Sequence, residues 1–157
     1  FGLFRADRRR RRTVRIFTIG FTKKNAERFF TMLRRPGLVR VVDVRLNNVS
    51  QLAGFTKRDD LRFFLREICG VEYVHAPHLA PTQEIMDEYR KNGGDWSAFE
   101  RMYLELIDSR RVDSLPDAET LDGACLLCSE AGPERCHRRL AAEYYRNRRG
   151  DVVIEHL

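Results

Sequence analysis

The chain has no apolar run near the roughly 20 residues that cross a bilayer, so no helical membrane span and no membrane partner is expected. It contains neither G-x-x-x-x-G-K-[ST] nor G-x-G-x-x-G, so the two common glycine-rich phosphate cradles are excluded and no cofactor is expected. Cysteine is limited to four (Cys69, Cys125, Cys128, Cys136) in 157 residues, too few for a disulfide scaffold. There is no internal repeat and no linker long enough to divide domains. With 43% hydrophobic and 33% charged residues, the composition suits one folded domain and excludes a fully disordered chain.

What is abundant is arginine, and its placement matters more than the net charge of +6. Residues 1–12, FGLFRADRRRRR, hold six arginines and one acid, which leaves the other residues with a net charge of only +1. The arm lacks the apolar segment of a secretory signal. Together with the sparse cysteines this predicts a reducing, cytoplasmic setting. A run of like charges predicts a solvated, disordered arm, although such a run can also contact nucleic-acid phosphates.

From Thr13 onward, short β-branched runs alternate with amphipathic stretches. Val14–Gly20 reads as a strand, and Thr22–Arg35 as a helix stopped by Pro36-Gly37. Leu38–Leu46 reads as a second strand, apolar enough for both faces to be covered. Thr56 opens a capping-box-like T-K-R-D, predicting a helix with Leu61, Phe64, Leu65 and Ile68 inward and an end at Gly70. Glu72–Ala76 reads as a strand, Thr82 as the cap of a helix through Lys91, and Trp96 to Ile107 as a helix whose stripe faces the core. Leu121–Cys128, Pro133–Arg149 and Val152–His156 complete the series as strand, helix and strand. The alternation predicts a single-domain, three-layer α/β sandwich over residues 13–157: a mostly parallel sheet of about five strands with helices on both faces.

In such sheets ligands bind beyond the carboxyl ends of the strands. The residues there are Gly20 and Thr22 after the first strand, Asp43 and Arg45 after the second, and Cys128 and Glu130 after the fourth. Asp43 and Arg45 share one face and form either a satisfied ion pair or an anion clamp with its orienting carboxylate. The segment CSEAGPERCHRR at 128–139 is the densest in chemistry. A helix start there offers unpaired N–H groups and a dipole that favours anions. Cys128 and Cys136 are candidate nucleophiles, and Glu130 and Asp43 candidate general acids or bases. Arg45, Arg138, Thr22, Gly20 and His137 are the candidate anion-binding groups. Cys136 also shares a helical stripe with Leu140 and Tyr144, which fits a buried, inert thiol. Cys125, Cys128, Cys136 and His137 supply four zinc-type ligands. Against zinc, residues 125 and 128 point to opposite faces of a strand, and neighbours on a helix diverge by about 100°.

The order TIG at 18–20, DVR at 43–45, GVEYVHAPHL at 70–79 and LLCSE…P..CHRRLAA at 126–142 resembles the bacterial "domain of unknown function 488" family. The C-x-E…CHR portion is the most specific; DVR also occurs in rhodanese-like domains. The resemblance implies an α/β domain without an established reaction. Its motif residues correspond to Gly20, Asp43, Arg45, Cys128, Glu130, Cys136, His137 and Arg138. Phe21-Thr22 stand where the family often has His-Ser, and Leu79-Ala80-Pro81 where Leu-Gly-Gly is common, as in a divergent subgroup.

These readings converge on a small enzyme with an anion-binding pocket that takes a phosphate, nucleotide or nucleic-acid substrate through a Cys/Glu/Arg cluster. The alternative is a non-catalytic nucleic-acid-binding domain that uses the arginine arm with Arg138, Arg139, Arg146, Arg148 and Arg149 of the last helix. A third reading has the CHR residues tie the last helix to the sheet.

Overall fold

The computed structural model describes residues 13–49, 54–114 and 118–157; the arginine arm lies outside the described residues. Five strands, β1 (Val14–Gly20), β2 (Arg40–Asp43), β3 (Glu72–His75), β4 (Ala124–Cys128) and β5 (Val152–His156), form one sheet in the order β3-β2-β4-β1-β5. Every pairing is parallel. The α-helices are α1 (Ala26–Leu33), α2 (Arg58–Phe64), α3 (Gln83–Lys91), α4 (Trp96–Ser109), α5 (Ala118–Leu121) and α6 (His137–Arg149).

Strand alternation divides the core in two. Cys125 and Leu127 of β4 join Phe17, Ile19 and Val41 on the face packed by Phe29, Phe30 and Leu33 of α1 and Leu61 of α2. Leu126 and Cys128 join Ile16 on the other face, under Ile85 of α3, Phe99 and Tyr103 of α4, and Leu140 of α6. This is the expected three-layer sandwich. The middle strand is β4, and all five of its residues are buried, as a strand paired on both edges and covered on both faces requires.

Several boundaries differ from the expected ones. Helix α1 begins at Ala26, because the Asn25 side chain accepts from the Arg28 N–H at 2.8 Å; Thr22 precedes it in a turn. Thr56 caps no helix: it is buried in a 3₁₀ turn, and α2 starts two residues later without a side-chain cap. A π-helical turn at Leu65–Cys69 follows α2 and rotates Ile68 outward to 39% exposure, so this residue is not part of the inward stripe. Gly70 then ends the segment in the left-handed region as expected, at φ 64°. Strand β2 stops at Asp43 and β3 at His75, while Leu121 belongs to α5 and not to β4. Helix α6 starts at His137, with Pro133 in the preceding loop, and closes on left-handed Gly150. Thr82 caps α3 as expected, its Oγ1 accepting from the Ile85 N–H at 3.2 Å. Among the described residues no helix is long and apolar enough to cross a membrane.

Leu126 sits at 1% exposure in the central strand, so Leu126→Ala is expected to cost about 2–5 kcal/mol through lost burial and the cavity left behind. Val153→Ala, on edge strand β5 at 53% exposure, is expected to cost no more than about 0.5 kcal/mol. Urea unfolding of the two variants beside the unaltered chain measures both.

Candidate functional site

A cleft of about 410 Å³ opens beyond the carboxyl ends of the central strands, where open parallel sheets place ligands. Its floor is Cys128, Ser129, Cys136 and His137, its polar rim includes Arg45, Glu130 and Arg135, and Tyr89, Trp96 and Phe99 form an aromatic wall with Phe21 opposite. Trp96 stacks on Phe99 with ring centroids 5.0 Å apart and planes 18° apart.

The floor is set by the loop between β4 and α6. Cys136 is extended (φ −138°, ψ 137°) as the residue before the helix, so it does not follow helical geometry and its thiol turns back towards Cys128. The expected 100° divergence from His137 therefore does not apply. The two sulfurs and one imidazole nitrogen lie within 4.8 Å of one another. His137 Nε2 lies 2.7 Å from the Val44 carbonyl. A carbonyl only accepts, so Nε2 carries a hydrogen, while Nδ1 faces Cys128 Sγ, 3.6 Å away. The Tyr103 ring meets the imidazole edge-on at 5.4 Å between centroids. Cys125, as its strand position predicted, faces the opposite core.

The two thiols titrate differently. The hydrogen bond from the Cys136 thiol holds the Cys128 pKa below its ordinary value; burial opposes this, and the Ser129 and Glu130 N–H groups and the Arg138 charge reinforce it. Cys136 is pushed up, first by donating to Cys128 and then by burial. Burial raises Cys125.

At the end of β2, Asp43 is fully buried. Arg45 grips it with Nε and Nη2 at 2.9 and 2.8 Å and with its own backbone N–H at 3.1 Å. The Tyr73 hydroxyl donates to the same carboxylate at 2.6 Å, and Asn48 donates to that hydroxyl at 3.3 Å. Asp43 is thus enclosed and orients Arg45 instead of facing the cleft as an acid or base. Arg45 Nη2 also donates to the Thr56 carbonyl at 2.6 Å, and its guanidinium carbon lies 5.4 Å from the Phe21 ring centroid. The remaining nitrogen, Nη1, has no hydrogen-bond partner among the described residues. The pair is a satisfied ion pair, and it fixes the Arg45 guanidinium beside the cleft.

Three expected anion-binding residues lie elsewhere. Arg138 is fully buried; its Nη1 donates to the Glu130 carbonyl at 2.8 Å and its Nε to Thr18 Oγ1 at 3.3 Å. Thr22 contributes a backbone N–H to the Ser129 carbonyl at 3.0 Å. Gly20 lets that loop pass, because a Cβ there would lie 1.5 Å from the Glu130 oxygen. These three residues build the loop that carries the floor, while Arg45, Glu130, Cys128, Cys136 and His137 line the cleft. Sequence reasoning placed Trp96 and Phe99 in the core alone, and it had no signal for Tyr73 or the Val44 carbonyl, which act only through tertiary contacts.

Gly20→Ala is expected to displace the 129–130 segment and destabilise the fold by about 3 kcal/mol or more, the range of steric conflict with rigid backbone. Thermal unfolding measures the loss. A variant as stable as the unaltered chain would refute the close packing of this loop on β1.

No curated protein and no solved structure matches the chain. A family model, described as "Domain of unknown function DUF488", matches residues 25–145, a span that runs from the cap of α1 through the cleft-forming loop into α6. Over most of its length, therefore, the chain belongs to the DUF488 family of domains of unknown function.

Proposed function

We propose that the chain is an enzyme for a small anionic substrate with a flat ring system, a mononucleotide in class. Its cleft binds the substrate, and the Cys128–Cys136–His137 cluster is the reaction centre. The observation that carries this reading is the meeting, in one cleft, of a pre-oriented guanidinium edge, an aromatic wall and a buried Cys/Cys/His floor. Arg45 is immobilised by Asp43, so it can meet a phosphate or carboxylate with little further loss of side-chain entropy. Arg135 is exposed and has no ion pair among the described residues, and it supplies a second positive charge at the rim. The half-buried Tyr89 and Trp96, the latter backed by Phe99, offer a surface on which a base-sized ring can lie. Glu130 is exposed on the same rim and supplies the carboxylate for proton transfer. A volume of about 410 Å³ suits a ligand of that size.

The polyanion alternative has less support. Among the last helix's arginines, Arg138 is buried, while Arg139, Arg148 and Arg149 are ion-paired with Glu143, Asp108 and Asp151. Arg146 is exposed without an ion pair among the described residues, so this helix offers one unpaired cation to a nucleic-acid backbone.

Trp96 is the one tryptophan in the chain, so its fluorescence reports the cleft directly. A nucleoside monophosphate is expected to quench it saturably and to bind at least about tenfold more tightly than the nucleoside, as one charge-assisted contact provides. Arg135→Ala is expected to weaken that binding about three- to tenfold, a modest effect because the side chain is solvated. Unchanged fluorescence, or equal affinity for nucleotide and nucleoside, would remove the reading.

A further inference from the structure

We infer that Cys128, Cys136 and His137 form a binding site for a zinc-class divalent ion, with one coordination position open to the cleft. Three independent features converge on this. The donor set is two sulfurs and one imidazole nitrogen within 4.8 Å of one another. Thiolate and imidazole together select zinc-type ions over magnesium or calcium, which require oxygen ligands.

The second feature is distance. Zinc bonds to sulfur at about 2.3 Å and to imidazole at about 2.0–2.1 Å, and a tetrahedral angle between them separates the two donors by about 3.6 Å. Cys128 Sγ and His137 Nδ1 are 3.6 Å apart, so an ion can enter between them without moving either side chain.

The third is the outer shell. Ligating histidines nearly always donate their other ring N–H to a carbonyl, carboxylate or water, which fixes tautomer and ring orientation. His137 does this through Nε2 to the Val44 carbonyl at 2.7 Å. All three ligands lie at 7% exposure or less, yet all three border the cleft.

Cys125 cannot complete the set, because it belongs to the core on the opposite face of the sheet. The described residues therefore supply three ligands, the number found where zinc keeps a position for water or substrate. Binding is balanced by proton release: the ion enters, both thiols lose their protons to solvent, and the neutral imidazole binds through Nδ1 without losing one. A dithiolate site with a divalent ion is neutral overall, which suits a floor this deeply buried. The inference rests on the proposed cleft function only for what fills the fourth position, where an anionic ligand or a water would sit.

The test is titration of the chelator-stripped full chain with cobalt(II). The expected result is a stoichiometric thiolate-to-cobalt charge-transfer band in the near ultraviolet, with the visible ligand-field bands of a tetrahedral ion. Cys128→Ser, Cys136→Ser and His137→Ala are each expected to weaken binding by at least about 100-fold, since loss of an outer-shell partner alone costs about 10–100-fold. Cys69→Ser and Cys125→Ala should leave the bands and the stoichiometry unchanged. If a ligand variant does not fold, the unaltered chain still decides: zinc should protect two thiols from alkylation. Absence of the charge-transfer band, bands that persist in Cys128→Ser, or a Cys128–Cys136 disulfide in place of metal binding would overturn the site. Cobalt bands without any response of those bands or of Trp96 to mononucleotide would keep the metal site and refute the cleft reading. Quenching of Trp96 without cobalt bands would do the reverse.

Discussion

The candidate site depends on one loop being held against the end of β1. Residues 129–136 connect the middle strand to α6, and Cys128, Cys136 and His137 lie at the two ends of that connection. Three contacts fix the loop: the Ser129 carbonyl accepts from the Thr22 N–H, the Glu130 carbonyl accepts from Arg138, and the missing Cβ of Gly20 lets the Glu130 backbone approach. Because Arg138 belongs to α6 and Cys128 to β4, its hydrogen bond closes a ring from strand to loop to helix and back. Within that ring Cys136 is forced into an extended conformation, and its thiol turns back to Cys128 instead of following the helix face. The chemistry at the floor is therefore a consequence of backbone packing several residues away.

Two guanidiniums near the cleft are buried, and they are treated differently. Arg45 is fully matched by Asp43, which in turn takes the Tyr73 hydroxyl. Losing one partner of such a pair leaves an uncompensated buried charge, at a cost of about 3–5 kcal/mol. Arg138 has no carboxylate among the described residues, and its Nη2 is buried without a hydrogen-bond partner. Its charge is felt instead by its neighbours: it helps lower the pKa of Cys128, and after burial it is the next cause of the lowering at Lys24 and His156. One arginine thus lies at the rim of the cleft, while the other adds a buried positive charge behind the floor.

Much of the fold was legible because strand and helix periods are strong signals. Val14–Gly20 and Val152–His156 coincide with the observed strands, and Thr82 and Gly150 mark real helix ends. The failures have local causes. Thr56 carries the chemistry of a cap, but the fold buries it and uses its carbonyl to receive Arg45. Ile68 fits an α-helical stripe that a π turn breaks, and α6 begins without a side-chain cap to announce it. For the site, the sequence brought Asp43 near Arg45 and Cys128 near Glu130, because these are local. It missed the pairing of Cys136 with Cys128, because an ideal-helix rule was applied to a residue that lies just outside the helix. It set Trp96 and Phe99 in the core, where Phe99 is buried and Trp96 packs against it, but a stripe at helical spacing does not show that one edge of the stripe faces an opening.

The same structure explains why the net charge is a poor guide to what this domain recognises. Most of the +6 belongs to residues 1–12. Within the described body Arg138 of α6 is buried and Arg139, Arg148 and Arg149 pair with Glu143, Asp108 and Asp151, which leaves Arg146 as the exposed arginine of that helix without an ion pair among the described residues. A surface for a long polyanion needs many solvated, unpaired cations arrayed along it, since affinity grows with the number of phosphates neutralised. The cleft offers a different arrangement: Arg45 held by a buried carboxylate, Arg135 at the rim without an ion pair among the described residues, and an aromatic wall that includes Trp96. A few charges fixed at close range in a partly desolvated pocket favour one small anion over a chain of them. Cys128, Cys136 and His137 line the same cleft as Arg45 and Arg135, so on the proposed reading an anion held at the rim would face sulfur and imidazole donors.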